Sequence, residues 1–217
     1  MVNFPEIKTL DDVLPYVEGF KSISTIDKDS YIVIDYCVTT PGLFDISDDP
    51  VGGMIRRECR GLIFDKRSST IMSRPFHKFF NVNEREETLA KNIDLSKNHV
   101  IMEKMDGSMV RPMLRENSTL TLATRKGITD IGVAAATLLS EDQSKWLFSM
   151  MCMSYTPIME YISPLNRIVV SYDEPRLVLL AIRNNITGEY LDIADIRTPF
   201  DVVPMYGSLS GDLSEYI

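Results

Sequence analysis

Between Tyr31 and Leu191 the chain is divided into short apolar runs rich in β-branched and aromatic residues, most of them bounded by turn-forming residues. Such runs fit the pleated, half-buried surface of a sheet. Tyr31–Val38 (Tyr-Ile-Val-Ile-Asp-Tyr-Cys-Val) is one of them. Further strands are predicted at Arg60–Asp65, Thr70–Arg74, Val100–Lys104, Ser108–Leu114, Thr119–Thr124, Pro157–Ile162, Arg167–Ser171 and Arg176–Arg183. Asn184-Asn185-Ile186-Thr187-Gly188 then supplies a hairpin turn into Glu189–Leu191. The spacing and the turn residues predict antiparallel pairing. Thr39–Gly53, with two prolines, three glycines and three aspartates, reads as a loop. Helices are expected at Thr9–Phe20, Thr129–Leu139 and Asp142–Met153, the last with Ser140 and Asp142 as capping candidates. The fold class is α+β, mainly antiparallel sheet with packed helices.

With 217 residues, 44% of them hydrophobic, the chain can bury a real core as one large domain or a domain with a small appendage. No apolar run approaches the roughly eighteen residues of a membrane span, and Met1–Phe20 lacks the continuous apolar stretch of a secretory signal. Cys37, Cys59 and Cys152 are odd in number and widely spaced, which argues for a reducing compartment such as the cytosol and against a disulfide framework or zinc site. Two histidines, His77 and His99, argue against a transition-metal cage.

The net charge of −8 speaks against a chain that coats nucleic acid, but the charge is unevenly spread. Met54–Asn81 holds seven basic residues (Arg56, Arg57, Arg60, Lys66, Arg67, Arg74, Lys78) against two acids, whereas Glu189–Ile217 holds six acids against Arg197. A basic face on an acidic protein suits phosphate binding in a cleft, and equally a solvated strand surface.

Lys104-Met105-Asp106-Gly107-Ser108 lies within the apolar stretch Val100–Val110. An amine attacks phosphorus only as the neutral base, and a free lysine, at roughly 10.4, is almost all cation at neutral pH. A nucleophilic lysine is therefore activated by desolvation or by neighbouring cations. Gly107 after a small acid permits a tight turn and a close backbone approach to a nucleotide. The same five residues also read as a plain hairpin turn between two strands.

Several segments occur in a fixed order with this run: Glu58-Cys59-Arg60-Gly61-Leu62-Ile63-Phe64, Ser73-Arg74-Pro75-Phe76-His77-Lys78-Phe79-Phe80-Asn81, Glu103–Ser108, Arg125-Lys126-Gly127, Met159-Glu160-Tyr161 and Asn166-Arg167-Ile168-Val169. Together with Leu177–Tyr190 they make the chain resemble ATP-dependent RNA ligases of the T4 RNA ligase 1 type, over roughly Glu58–Tyr190. The resemblance implies a covalent-nucleotidyltransferase (ATP-grasp-like ligase) domain across 1–217, incomplete at its last strands. It implies that Lys104 attacks the α-phosphorus of ATP and holds AMP, which then passes to an RNA 5'-phosphate before an RNA 3'-hydroxyl seals the ends, with Mg2+ at each step. Carried over by position, Arg60 contacts ribose and phosphate, Lys78 and Lys126 neutralise phosphates, Glu160 accepts the ribose hydroxyls, and Val178 and Leu179 line the adenine pocket. No metal ligand is assigned. Asp106 is expected to accept backbone N–H groups in its own turn and, with Gly107, to support the loop. His77 matches no catalytic position and reads as a satisfied surface histidine, while Phe79 and Phe80 fit either stacking on a base or the core.

After Tyr190 the chain has no Glu-Gly-x-Val-like segment and no Lys-x-Lys strand, and no lysine at all follows Lys145. The expectation is an N-terminal portion of the nucleotidyltransferase domain. The alternatives are a catalytically incomplete module that binds ATP or RNA ends, and one half of an enzyme completed by a second chain. A cytoplasmic setting is expected, the host's if the chain is viral.

Overall fold

The computed structural model describes residues 4–115, 117–164, 170, 172–194, 196–211 and 213. Two sheets dominate it. The first contains β1 (Ile23–Asp27), β2 (Tyr31–Tyr36), β3 (Arg60–Asp65) and β4 (Ile71–Ser73) in the order β1-β2-β3-β4, all antiparallel. The second contains β5 (Ser108–Leu114), β6 (Leu120–Ala123), β7 (Tyr155–Ile162), β8 (Arg176–Asn184) and β9 (Asp201–Val202) in the order β6-β5-β7-β8-β9. Its pairs are antiparallel apart from β8 with β9, which is parallel.

Four short α-helices accompany the sheets: α1 (Leu14–Val17), α2 (Pro50–Glu58), α3 (Asp130–Ala136) and α4 (Glu141–Cys152). Local chemistry sets their starts. The Ser140 hydroxyl accepts the Gln143 N–H while the Gln143 side chain accepts the Ser140 N–H, a reciprocal capping box. Asp49 caps α2 by accepting the Gly52 N–H at 2.9 Å, with Pro50 in the first turn.

Three apolar clusters define the layers. Ile7, Leu10, Val13, Val17 and Ile55, from the N-terminal segment, α1 and α2, pack on Ile34, Leu62 and Phe64 of the first sheet. Ala135, Leu147 and Met150, from α3 and α4, pack on Val110, Leu122, Met159 and Leu179 of the second. Tyr31, Val33 and Ile63 meet Met113 and Ala123 where the sheets face each other.

Buried guanidinium groups complete that contact. Arg111 on β5 donates to Ser73 Oγ at 2.8 Å, to the Thr124 carbonyl at 3.2 Å and to the Gly61 carbonyl. Glu58 at the end of α2 pairs with Arg74 at 3.0 Å and with Arg183 of β8 at 2.7 Å, all three with fully buried side chains. Burial alone would raise the Glu58 carboxyl, but Arg183 and Arg74 outweigh it and hold the group below the usual glutamate value.

The structure corrects several expectations. Thr9–Phe20 is not one helix. A 3-10 turn at Leu10–Asp12 precedes the single turn of α1, whose Pro15 suits only a helix start, and Glu18 (ψ 132°) with Gly19 (φ +85°) ends it. Thr39–Gly53 is not all loop, since α2 begins at Pro50 despite two glycines. A Cβ on Gly53 would lie 2.1 Å from the Asp45 carbonyl oxygen, so packing overrides helix propensity there. β1 was not foreseen. Val100–Lys104 joins neither sheet; Ile101 and Glu103 instead bond to the Pro204–Gly207 segment through a bridge at Met102 and Met205. The strand predicted at Arg167–Ser171 falls almost wholly outside the described residues.

Candidate active site

Lys104 lies on the loop that enters β5, exposed, and within electrostatic range of Glu160 on β7. Among the described residues it makes no ion pair or hydrogen bond. Asp106 anchors this loop. Its Oδ2 accepts the Val170 N–H at 2.6 Å and its own N–H donates to the Tyr172 hydroxyl at 3.1 Å. The support expected from Asp106 thus includes bonds to a segment more than sixty residues away, beyond its own turn.

Gly107 is required by space rather than by a left-handed backbone. A Cβ there would sit 2.3 Å from the Tyr161 carbonyl oxygen and 2.9 Å from Ile162 Cγ2. That close approach lets the Gly107 N–H reach the Glu160 carboxylate. Gly107→Ala should therefore displace the lysine loop and cost about 1–3 kcal/mol of stability by urea unfolding, as overpacking does.

Glu160 is 9% exposed and pairs across the sheet with Met109 on one side and Val178 on the other. Burial pushes its carboxyl up to about 7; the Gly107 N–H, Lys104 and Arg60 pull it down, and Asp106 pushes it further up. Lys104, Asp106, Arg60 and Glu160 therefore share one electrostatic environment. Because its pKa is raised on folding, Glu160 binds a proton more tightly in the folded chain, so stability falls as pH rises from about 4.5 to about 7. Glu160→Gln should remove that part of the pH dependence, and urea midpoints measured from pH 5 to pH 8 would show a flatter profile than the wild type.

Arg60, at the start of β3, places its guanidinium 5.0 Å from the Phe79 ring centroid. Its Nη1 is the one buried side-chain nitrogen or oxygen without a hydrogen-bond partner among the described residues. A buried donor left unpaired costs on the order of 1–3 kcal/mol, which a ligand oxygen would recover. Next to it, the turn after β6 packs tightly. A Cβ on Gly61 would lie 2.4 Å from the Arg125 carbonyl oxygen, and Arg125 pairs with Asp35 at 2.5 Å over the Tyr36 ring. This brings Lys126, exposed and acting on Asp35, close to the Arg60–Gly61 backbone. Lys78 is tucked in, donating to the Phe79 carbonyl at 2.6 Å, 3.9 Å from Glu84 and 4.1 Å from the Phe80 ring centroid.

Val178 and Leu179 separate. Side chains alternate along a strand, so Val178, opposite Glu160, shares its face, while Leu179, opposite Met159, lies on the other face; both are buried in the same apolar cluster. The basic stretch also divides. Arg56 bonds to Asp49 and to the Leu43 carbonyl, Arg57 pairs with Glu87 and donates to the Phe44 carbonyl, Arg74 is held by Glu58, and Lys66 and Arg67 lie at the turn after β3, which leaves Arg60 and Lys78. His77 is not a surface residue. It is half-buried with Nδ1 2.9 Å from the Tyr190 hydroxyl, and burial, assisted by Arg183, pushes it down to about 4.

No group of three His, Cys, Asp or Glu side chains among the described residues forms a metal cage. No helix among them is long and apolar enough to cross a membrane.

A protein-family model described as RNA ligase, of the T4 RNA ligase 1 type, matches residues 58–200. The chain is 31% identical over 186 residues to a putative RNA ligase of Thermovibrio ammonificans, covering 84% of this chain and 47% of that protein. It is 28% identical over 174 residues to RNA ligase 1 of bacteriophage TS2126, covering 76% of this chain and 42% of the phage protein. It is also 33% identical over 168 residues to a putative bifunctional polynucleotide kinase/RNA ligase of Autographa californica nuclear polyhedrosis virus, covering 68% of this chain and 24% of the viral protein. Among solved structures, an archaeal ATP-dependent RNA ligase superposes with a TM-score of 0.58 at 14% identity, over 89% of this chain and 49% of that one. The likeness establishes a nucleotidyltransferase fold. The chain spans about half the length of the first two of these relatives.

Proposed function

Because the chain belongs to the RNA ligase family of the T4 RNA ligase 1 type, we propose that it is the nucleotide-transferring part of an ATP-dependent RNA ligase, with Lys104 as the residue that takes AMP. The observation that carries this reading is that Lys104 and Arg60 both act electrostatically on the buried Glu160 carboxyl, while Arg60 Nη1 is buried with no hydrogen-bond partner among the described residues.

In the first step the Lys104 Nζ, having lost its proton, bonds to the α-phosphorus of ATP. The bond to the bridging oxygen breaks and pyrophosphate leaves with the electron pair. An RNA 5'-phosphate oxygen then displaces the lysine nitrogen and accepts AMP. Last, an RNA 3'-hydroxyl attacks the 5'-phosphorus and expels AMP. Arg60, with its planar fork, is the group for phosphate and ribose oxygens. Glu160 receives the ribose hydroxyls, Val178 meets the base, and Lys78 and Lys126 draw in the phosphates. Leu179 supports this wall from the core side.

Mg2+ bound with the triphosphate would neutralise its charge and ease the departure of pyrophosphate. The reading places the chain in a cytoplasm, the host's if its source is viral. It extends to an alternative in which a second chain supplies the later family motifs.

Incubation with α-labelled ATP and Mg2+, followed by denaturing electrophoresis, tests the reading. Label that stays on the chain supports it; no label from this chain alone contradicts autonomous adenylylation.

A further inference from the structure

Phe79 is 55% exposed, yet it is held in place. The Arg60 guanidinium lies 5.0 Å from its ring centroid, the edge of Phe76 lies 6.1 Å away, and its carbonyl accepts the Lys78 ammonium at 2.6 Å. Phe76 stacks on Tyr190, whose ring also receives the Arg183 guanidinium of the buried Glu58 ion pairs. The exposed ring therefore stands at the end of a chain of contacts rooted in the rigid core.

Beside it, Phe80 is flanked by three cations, Lys78 at 4.1 Å, Arg85 at 4.9 Å and Arg57 at 5.1 Å from its centroid, of which Arg57 also pairs with Glu87 and Lys78 lies 3.9 Å from Glu84. A large aromatic side chain gains little stability while exposed, since its contribution comes from burial. A fixed, solvent-facing ring among cations is instead the combination that holds single-stranded nucleic acid, with stacking for the base and positive charge for the backbone. The position adds to the argument. Arg60 acts electrostatically on Glu160 and lies over Phe79, so the ring stands beside a residue of the proposed nucleotide site.

From this arrangement we infer that Phe79 is a stacking platform for an unpaired base of the RNA strand whose end is joined, a role separate from ATP binding. The inference rests on the RNA-ligase reading of the site. The shared chemistry is a single-stranded RNA end, and 5'-phosphorylated and 5'-hydroxyl oligonucleotides distinguish which end is held.

The test compares the full wild-type chain with Phe79→Leu and Phe79→Trp. Affinity for a fluorescent single-stranded oligoribonucleotide is measured by anisotropy at fixed salt, with a blunt duplex of the same sequence as control, and label transfer from α-labelled ATP is measured in parallel. Phe79→Leu should weaken single-strand binding about tenfold and duplex binding less than twofold, while Phe79→Trp binds at least as tightly as the wild type.

Equal losses for single strand and duplex, or an unchanged affinity in Phe79→Leu, would overturn the inference. So would a loss of label transfer matching the loss of RNA affinity, because the ring would then serve Arg60 and ATP. If Phe79→Leu does not fold, weaker binding by Phe79→Trp overturns it. A wild-type chain that takes no label but shows the Phe79 effect on RNA would contradict autonomous adenylylation and leave the single-strand platform standing.

Discussion

Replacing Lys104 with alanine is expected to abolish covalent transfer of label from α-labelled ATP to the chain, a loss of at least about a thousandfold. The side chain is exposed and makes no ion pair or hydrogen bond among the described residues, so the variant should keep wild-type stability within about 0.5 kcal/mol. Loss of label would then report chemistry rather than unfolding. Lys104→Arg should fail equally, because a guanidinium stays protonated and cannot present a lone pair to phosphorus. ATP binding should persist in both variants, since Arg60, Glu160 and Val178 are untouched. Equilibrium binding of a fluorescent ATP analogue checks that separation.

The second large effect concerns the contact between the sheets. Glu58→Gln leaves the buried guanidinium groups of Arg74 and Arg183 facing a neutral amide where each had a carboxylate oxygen, at 3.0 and 2.7 Å. Removing one partner of a buried ion pair typically costs about 3–5 kcal/mol, and the urea midpoint should fall accordingly. The pH dependence gives an independent check. Glu58 is held below the usual glutamate value, so its contribution is present above that value and is lost as pH falls below it. The wild type should lose stability on acidification below about pH 4.5 more steeply than Glu58→Gln. A variant as stable as the wild type would show that the apolar cluster of Tyr31, Val33, Ile63, Met113 and Ala123 suffices to join the sheets.

Much of the second sheet was legible because its strands are largely apolar and its helices carry local caps. Ser140 and Gln143 define the start of α4 within a residue, and Leu177–Ile182 can hardly be anything but a buried strand. The first sheet was harder to read. β1 (Ile-Ser-Thr-Ile-Asp) is half polar, and α2 is set by the close approach of Gly53 to Asp45 rather than by propensity.

Among the expected site residues, Arg60, Lys104, Asp106 and Gly107 all act on the Glu160 carboxyl. Leu179 falls away from them because alternation along β8 puts it on the other face, a consequence of register that one sequence does not show. The sheet-joining roles of Glu58, Arg74, Arg111 and Arg183 were also hidden. Sequence presents them as charges, and only the fold shows that all four are buried. A signal was nevertheless there in Arg111 and Arg183, since a single arginine within an otherwise apolar strand either faces solvent or is paired inside.

The central claim is that Lys104 bonds to the α-phosphorus of ATP. Its most direct measurement is the mass of the intact chain after incubation with ATP and Mg2+, followed by peptide mapping at neutral pH. The account predicts a single added adenylyl group on the peptide containing Lys104, lost on acid treatment as a phosphorus–nitrogen bond would be. An adenylyl group mapped to any other residue, or no added mass at all, would contradict it.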